Sequence, residues 1–264
     1  MIRACIFDLG GTIVDRYSLT SLLSLQKLFK NHNLLLKKDL FFTDIGENKL
    51  SYMHLITESS LIMDAFKKEY GNYPDISLHN LYEEFNELRY KTIDKSLDIL
   101  PETKSTINYL QSQGILTAVT TSFNKKTTDL IRDKLETNDI FIDHYISSSC
   151  LDRPVRPYPH MIHKIMNEFK INDPKSVIKI DDTVVGIEEG INAKCWTIAV
   201  ARWSINMKIN TIRDAYGLPK DRIDDKVKEC RKILDETDAD FVVDTLSEIH
   251  DIIDKFNDSG YFNR

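Results

Sequence analysis

The apolar positions of this chain fall into two textures. Residues 4–9 form a short apolar run closed by Gly10-Gly11, the pattern of a buried parallel strand ending in a tight turn. Leu19, Leu22, Leu23, Leu25, Leu28 and Phe29 then recur at helical spacing. From there to about residue 98 no segment reads as a strand. The pattern predicts helices broken near 44–46 and 71–74, with an amphipathic stretch over 78–97. Past Leu100-Pro101 the texture changes, and strands are predicted at 115–120, 145–146, 177–180, 196–200 and 241–243. Helices are predicted between them at about 103–113, 127–135, 159–169 and 185–193. Strands alternating with helices predict an α/β fold, a Rossmann-like parallel sheet covered on both faces. The all-helical block interrupts that alternation after the first strand and reads as an inserted cap. Residues 1–17 and 99–264 are then the α/β core, and residues 18–98 the helical cap domain. There is no internal repeat and no low-complexity segment.

Composition narrows the partners. The 264 residues are 42% hydrophobic and 29% charged, with a net charge of −6 and Lys and Arg scattered along the chain. A phosphate backbone demands a clustered cationic face, so a nucleic-acid partner is not expected. Cys5, Cys150, Cys195 and Cys230 are far apart and form no CxxC pair, which points to free thiols in a reducing compartment. No apolar stretch approaches the ~20 residues that span a bilayer. The chain reaches its first strand within three residues, leaving no room for a signal peptide. A cytoplasmic protein without membrane contact is expected.

Ligands of open parallel sheets gather at the carboxyl ends of the strands, and four chemical features fall there. The first is Asp8-Leu9-Gly10-Gly11-Thr12. A carboxylate in that place can attack phosphorus while glycines let backbone amides approach phosphoryl oxygens, although the same residues also make a plain turn. The second is Thr120-Thr121-Ser122, whose hydroxyls can bind a phosphoryl oxygen or simply cap a helix. The third is Arg156-Pro157-Tyr158-Pro159, which offers a fixed cation for transferring oxygens or only a surface arginine. The fourth is Asp181-Asp182-Thr183. Paired acids at a strand end suit a hard cation such as Mg²⁺, the alternative being a solvated helix cap.

The order of these features is more specific than any one of them. It resembles the four-motif series of the haloacid dehalogenase superfamily, Mg²⁺-dependent hydrolases that work through an aspartyl-phosphate. The resemblance extends to the phosphonatase branch, the phosphonoacetaldehyde hydrolases, from Ile6 to about Ile253. Gly10 stands where phosphomonoesterases of the superfamily carry an aspartate. The third motif has the RPYP of phosphonatases, and Gly46-Glu47-Asn48-Lys49 is similar to the cap segment that holds their Schiff-base lysine. The chemistry is coherent. Without an acid at position 10 nothing protonates a leaving alkoxide. A C–P bond, however, can break if a lysine first turns a neighbouring aldehyde into an imine that accepts the electron pair.

The resemblance implies Asp8 as nucleophile and Lys49 as the imine-forming amine. It implies Thr121 and Arg156 on the phosphoryl group, supported by Gly11, Thr12 and Ser122. Mg²⁺ would be held by Asp8, the Gly10 carbonyl and Asp182, with Asp181 supporting. The chain departs from the branch at three places. Tyr52 replaces a histidine three residues after the lysine, with His54 two residues on. Ile45-Gly46 replaces Met-Gly. Asp181-Asp182 followed by Gly186 replaces Gly-Asp with a second acid four residues later. Two further readings stay open: a phosphatase of the same fold acting on a phosphate ester or acyl phosphate without an imine, and a degenerate, non-catalytic member. The expected ligand is a small phosphorylated or phosphonate compound. The stripe near 19–29 could make a homodimer seam through the cap or face the chain's own core. His144, His160 and His163 read as surface or capping residues, Trp196 and Trp203 as packing, and 220–236 as a helix with one solvated face.

Overall fold

The computed structural model describes residues 1–32 and 78–258. Six strands form one parallel sheet in the order β3-β2-β1-β4-β5-β6. They are β1 (Ala4–Phe7), β2 (Leu116–Thr121), β3 (His144–Ser147), β4 (Val177–Asp181), β5 (Trp196–Val200) and β6 (Phe241–Val243). The described helices are α1 (Leu19–Asn31), α2 (Leu78–Lys95), α3 (Thr103–Ser112), α4 (Lys125–Thr137), α5 (His160–Glu168), α6 (Val184–Asn192), α7 (Ile212–Gly217), α8 (Lys220–Asp235) and α9 (Ile249–Asp258).

The two-residue alternation of strand side chains decides which helices cover which face. Cys5 and Phe7 of β1 share a core with Ile107 and Leu110 of α3, Ile131 and Leu135 of α4, and Ile252 and Phe256 of α9. Ala4 and Ile6 point the other way, into a core with Met161, Ile162 and Ile165 of α5. Both faces are thus covered, which is why the strands are apolar throughout and not alternating.

Between β1 and β2, which pair directly in parallel register, the named elements among the described residues are all helices. Leu22, Leu25, Leu28 and Phe29 of α1 are buried with Leu81 and Phe85 of α2 in a core that also takes in Ala199, Val227 and Leu234. The apolar stripe of α1 is therefore covered by the chain itself.

The structure shifts some predicted boundaries. β2 runs one residue later than predicted, so Thr121 is its last residue and not the first of a loop. β4 extends through Asp181. α7 and α9 were not predicted: α7 is too short to show a period, and α9 lies beyond the last predicted strand. In α8 the charged run hides a buried face of Val227, Cys230 and Leu234. All four cysteines are free, and no described helix is long and apolar enough to cross a membrane.

Candidate active site

β1 lies between β2 and β4, and Phe7 is in register with Val119 on one side and Ile180 on the other. The residue after Phe7 is Asp8, so the three central strands deliver Asp8, Thr120-Thr121 and Asp181 side by side at their carboxyl ends. Neighbouring strands are ~4.8 Å apart, close enough for direct contact between these side chains. The Asp8 backbone N–H donates to the Ile180 carbonyl at 3.0 Å, extending the ladder one step into the loop.

The loop after Asp8 turns sharply. Gly11 has φ +80°, and a Cβ there would lie 2.4 Å from Asp182 Oδ2. Only glycine allows both the backbone conformation and the close approach of that carboxylate. The Gly11 N–H donates to the Val14 carbonyl at 2.8 Å, and Gly10 forms a bridge with Val14. The Thr12 hydroxyl donates to Asp182 Oδ1 at 3.2 Å, so in this structure it supports the fourth motif. Asp182 is anchored further by the Ile205 N–H at 3.1 Å.

Arg156 is buried and reaches three carboxylates. Its Nη2 lies 2.8 Å from Asp8 Oδ1 and 3.3 Å from Asp181 Oδ2, and its Nε 3.0 Å from Glu189 Oε2. Nη2 also donates to the Thr120 carbonyl at 2.7 Å. Lys179 and Glu189 complete the network. Lys179 Nζ lies 2.9 Å from Asp181 Oδ2 and 3.5 Å from Glu189 Oε2, and donates to Thr120 Oγ1 at 2.8 Å. Thr121 is buried, and its Oγ1 accepts the Phe123 N–H at 3.2 Å. Ser122 is half-buried at the end of the same strand, its carbonyl accepting the Ser148 hydroxyl at 3.3 Å.

Lys179 and Glu189 were not among the residues singled out from the sequence. A lysine inside the apolar strand VIKID was the available signal, since a buried ammonium needs partners. Glu189 gave none: it is fully buried while the adjacent Glu188 is exposed, and only the direction in which α6 faces separates them.

The departure at the fourth motif has a structural resolution. A Cβ on Gly186 would lie 2.1 Å from Asp181 Cγ. The Asp181 carboxylate therefore fills the space that a side chain at position 186 would need. It is held there by the Thr183 N–H at 3.0 Å and the Thr183 hydroxyl at 2.7 Å. Asp181 thus presents its carboxylate over a glycine that makes room for it.

Carboxylate oxygens of Asp8, Asp181 and Asp182 lie within 4.8 Å of one another, all buried. Burial raises the Asp8 pKa, which Arg156 counteracts in part and Asp181 adds to. Burial, followed by the charges of Asp181 and Asp8, pushes Asp182 well above the usual carboxylate range. At Asp181 burial acts the same way, but Arg156 and Lys179 outweigh it and the net shift is downward. Within the described network two cations face four carboxylates: Asp8, Asp181, Asp182 and Glu189. A hard divalent cation among the three aspartates would balance this excess, and the oxygen donors suit it.

A model of haloacid dehalogenase-like hydrolases matches residues 2–194, which include all four strand-end motifs. The chain belongs to this family. As a haloacid dehalogenase-like hydrolase it is 25% identical over 255 residues, 96% of both chains, to a phosphonoacetaldehyde hydrolase from Bacillus cytotoxicus. It is 27% identical, with the same coverage, to one from Bacillus cereus. Among solved structures, a phosphonoacetaldehyde hydrolase-like protein from Oleispira antarctica superimposes with a TM-score of 0.90 at 22% identity, covering 100% of this chain and 95% of that one. A β-phosphoglucomutase from Clostridium difficile has a TM-score of 0.67 at 19% identity with 100% coverage of both. Both likenesses are of fold.

The structure thus brings Asp8, Gly10, Gly11, Thr12, Thr121, Arg156, Asp181 and Asp182 to one end of the sheet. Lys49 and Tyr52, with the neighbouring Gly46, Glu47, Asn48 and His54, lie outside the described residues. The three histidines stand apart: His144 meets the edge of Phe169, His160 stacks on Tyr158, and His163 is exposed. Trp196 packs on Phe256 and Trp203 on Tyr17.

Proposed function

We propose that this hydrolase cleaves the C–P bond of phosphonoacetaldehyde or a close relative, releasing an aldehyde and phosphate. The observation that carries this reading is a buried strand-end carboxylate, Asp8, held 2.8 Å from Arg156 with glycine and no acid at position 10. Resemblance to phosphonoacetaldehyde hydrolases along 96% of the chain supports it.

In this mechanism the Lys49 amine condenses with the substrate aldehyde, losing water to give a protonated imine. Asp8 attacks phosphorus, and the C–P electron pair moves into the imine as an enamine. Arg156 and Thr121 hold the phosphoryl oxygens, and Gly11 and Ser122 line the same end of the sheet. Tyr52, three residues after Lys49 in the sequence, would take the part of proton shuttle in imine formation, although the ordinary tyrosine pKa of ~10 makes it a weak base at neutral pH. The enamine takes up a proton, and water then frees the aldehyde from Lys49 and phosphate from Asp8. Asp8, Asp182, Asp181 and the Gly10 carbonyl are the groups that would hold Mg²⁺, which supplies charge neutralisation at the phosphoryl group. The helical cap, residues 18–98, would exclude water while the imine forms. The setting is cytoplasmic.

The test is phosphate release from phosphonoacetaldehyde for wild type, Asp8→Ala and Lys49→Arg, with borohydride trapping. Expected are turnover lost in both variants and a borohydride-stable adduct on Lys49. Asp8-dependent release from acetyl phosphate, with none from phosphonoacetaldehyde, would replace this reading with a phosphatase that uses no imine.

A further inference from the structure

Asp15 is buried, with 4% of its surface exposed, and the chemistry above does not use it. It stands where the chain leaves the nucleophile loop. Its N–H donates to the Asp98 carbonyl at 2.7 Å, and its own carbonyl accepts the Gly11 N–H at 3.1 Å. Its Oδ1 accepts the Thr20 N–H at 2.9 Å. The backbone there is left-handed, with φ 54° and ψ 68°, a conformation that aspartate and asparagine tolerate better than most residues. So held, the carboxylate places Oδ2 3.7 Å from where a Cβ on Gly10 would be. Ser18 Oγ lies 3.2 Å from the same point and Phe123 Cε2 3.7 Å.

The side of Gly10 is thus bordered by a carboxylate, a hydroxyl and one aromatic edge. This place adjoins the nucleophile, since Gly10 follows Asp8 by two residues and the Phe123 N–H donates to Thr121 Oγ1 at 3.2 Å. The other carboxylates at this end of the sheet are engaged. Asp181 and Glu189 pair with Arg156 and Lys179, and Asp182 accepts from Thr12 and the Ile205 N–H. Asp15 instead has the Arg89 cation nearby. Burial lowers the Arg89 pKa to about 10, with Tyr82 and Asp15 acting against that. A neighbouring cation favours a carboxylate in its ionised form, the form that accepts a proton.

A base is needed at this place. Water that attacks an aspartyl-phosphate must lose a proton, and position 10 has no side chain to take it. We infer that Asp15 is that base, and that Ser18 orients the water with it. This rests on the reading of Asp8 as the phosphorylated nucleophile and supplies the step that ends its cycle. The water oxygen forms its bond to phosphorus while the bond from phosphorus to the Asp8 oxygen breaks, and that electron pair returns to the Asp8 carboxylate. One proton of the water passes to Asp15 Oδ2 and goes on to solvent as phosphate leaves. The step is the same whether the phosphoryl group came from a phosphonate or from an acyl phosphate.

The test uses whichever of phosphonoacetaldehyde and acetyl phosphate the wild type turns over, with Mg²⁺ present. Phosphate release is timed, and the acid-quenched chain is weighed for a bound phosphoryl group. Asp15→Asn keeps the left-handed backbone and the acceptor for the Thr20 N–H. It is expected to release phosphate ~10²-fold more slowly while the aspartyl-phosphate still forms and therefore accumulates. Adding Gly10→Asp to Asp15→Asn returns a carboxylate to the same place and should restore release, a rescue that a merely structural role would not show. Should Asp15→Asn fail to fold, Gly10→Ala decides, because a methyl there displaces the water and should give the same accumulation. Unchanged release in the variant that folds, or slowed release without accumulation, overturns the inference and leaves Asp8 as nucleophile. Turnover of neither compound by wild type, or turnover that survives Asp8→Ala, removes the reading of Asp8 and this inference with it.

Discussion

At the scale of single residues, positions 181 and 186 share one small volume, which only a glycine at 186 leaves open for the acid. The Asp181 carboxylate occupies the volume over Gly186 and is tied to Lys179, Arg156 and Thr183. It cannot swing aside without breaking buried ion pairs. Gly186→Ala should therefore destabilise the fold by ~1–3 kcal/mol, the usual cost of overpacking, and weaken Mg²⁺ binding. Thermal unfolding with and without Mg²⁺ measures both. The double exchange Asp181→Gly/Gly186→Asp returns a carboxylate to the same space from the other side and should recover Mg²⁺ binding relative to Gly186→Ala. A double variant no better than the single one would show that position 181 has a role beyond carrying the charge.

At the scale of elements, the pairing of α1 with α2 ties the two ends of the inserted block together. Apolar contact supplies most of it, through Leu25, Leu28, Leu81 and Phe85. A polar clasp sits at its edge, where Glu84 of α2 accepts from Asn31 at 3.0 Å and meets His32 at 2.8 Å. Burial alone would raise the Glu84 pKa, but the hydrogen bonds from Asn31 and His32 outweigh it and lower it. A lowered carboxylate pKa means that the folded state releases its proton more readily than the unfolded chain. The stabilisation is therefore present above the ordinary glutamate pKa of ~4.3 and lost as the pH falls through the lowered value. Glu84→Gln should melt below wild type at pH 7, with the gap closing under acid conditions. A gap that persists at low pH would show that charge is not what the clasp contributes.

At the scale of the whole molecule, the sheet brings acids from opposite parts of the chain to one point, and that assembly gives its own prediction. If Mg²⁺ binds among Asp8, Asp181 and Asp182, saturating Mg²⁺ should raise the melting temperature of wild type over that in chelator, because a ligand of the native state alone stabilises it. Asp182→Asn should lose that rise while melting no lower than wild type in chelator, since it removes a carboxylate whose charge burial disfavours. The parallel alternation, the helices described between the first two strands, the glycine turn after Asp8 and the acid pair at the end of β4 were all legible in the sequence. Each is written locally, in apolar runs of strand length and in short motifs that follow them. Lys179 and Glu189 were not fully legible, because Thr120, which takes the Lys179 ammonium, and Arg156, which pairs with Glu189, lie 59 and 33 residues away from them. Nor was the engagement of Thr12 with Asp182, nor the burial of Arg89 against Phe123, a residue 34 positions away. Sequence by itself determined which groups could do chemistry here and in what order the strands would present them. Only the tertiary structure decided which charges are buried together and which are left without a partner, because burial and pairing are properties of the space between elements.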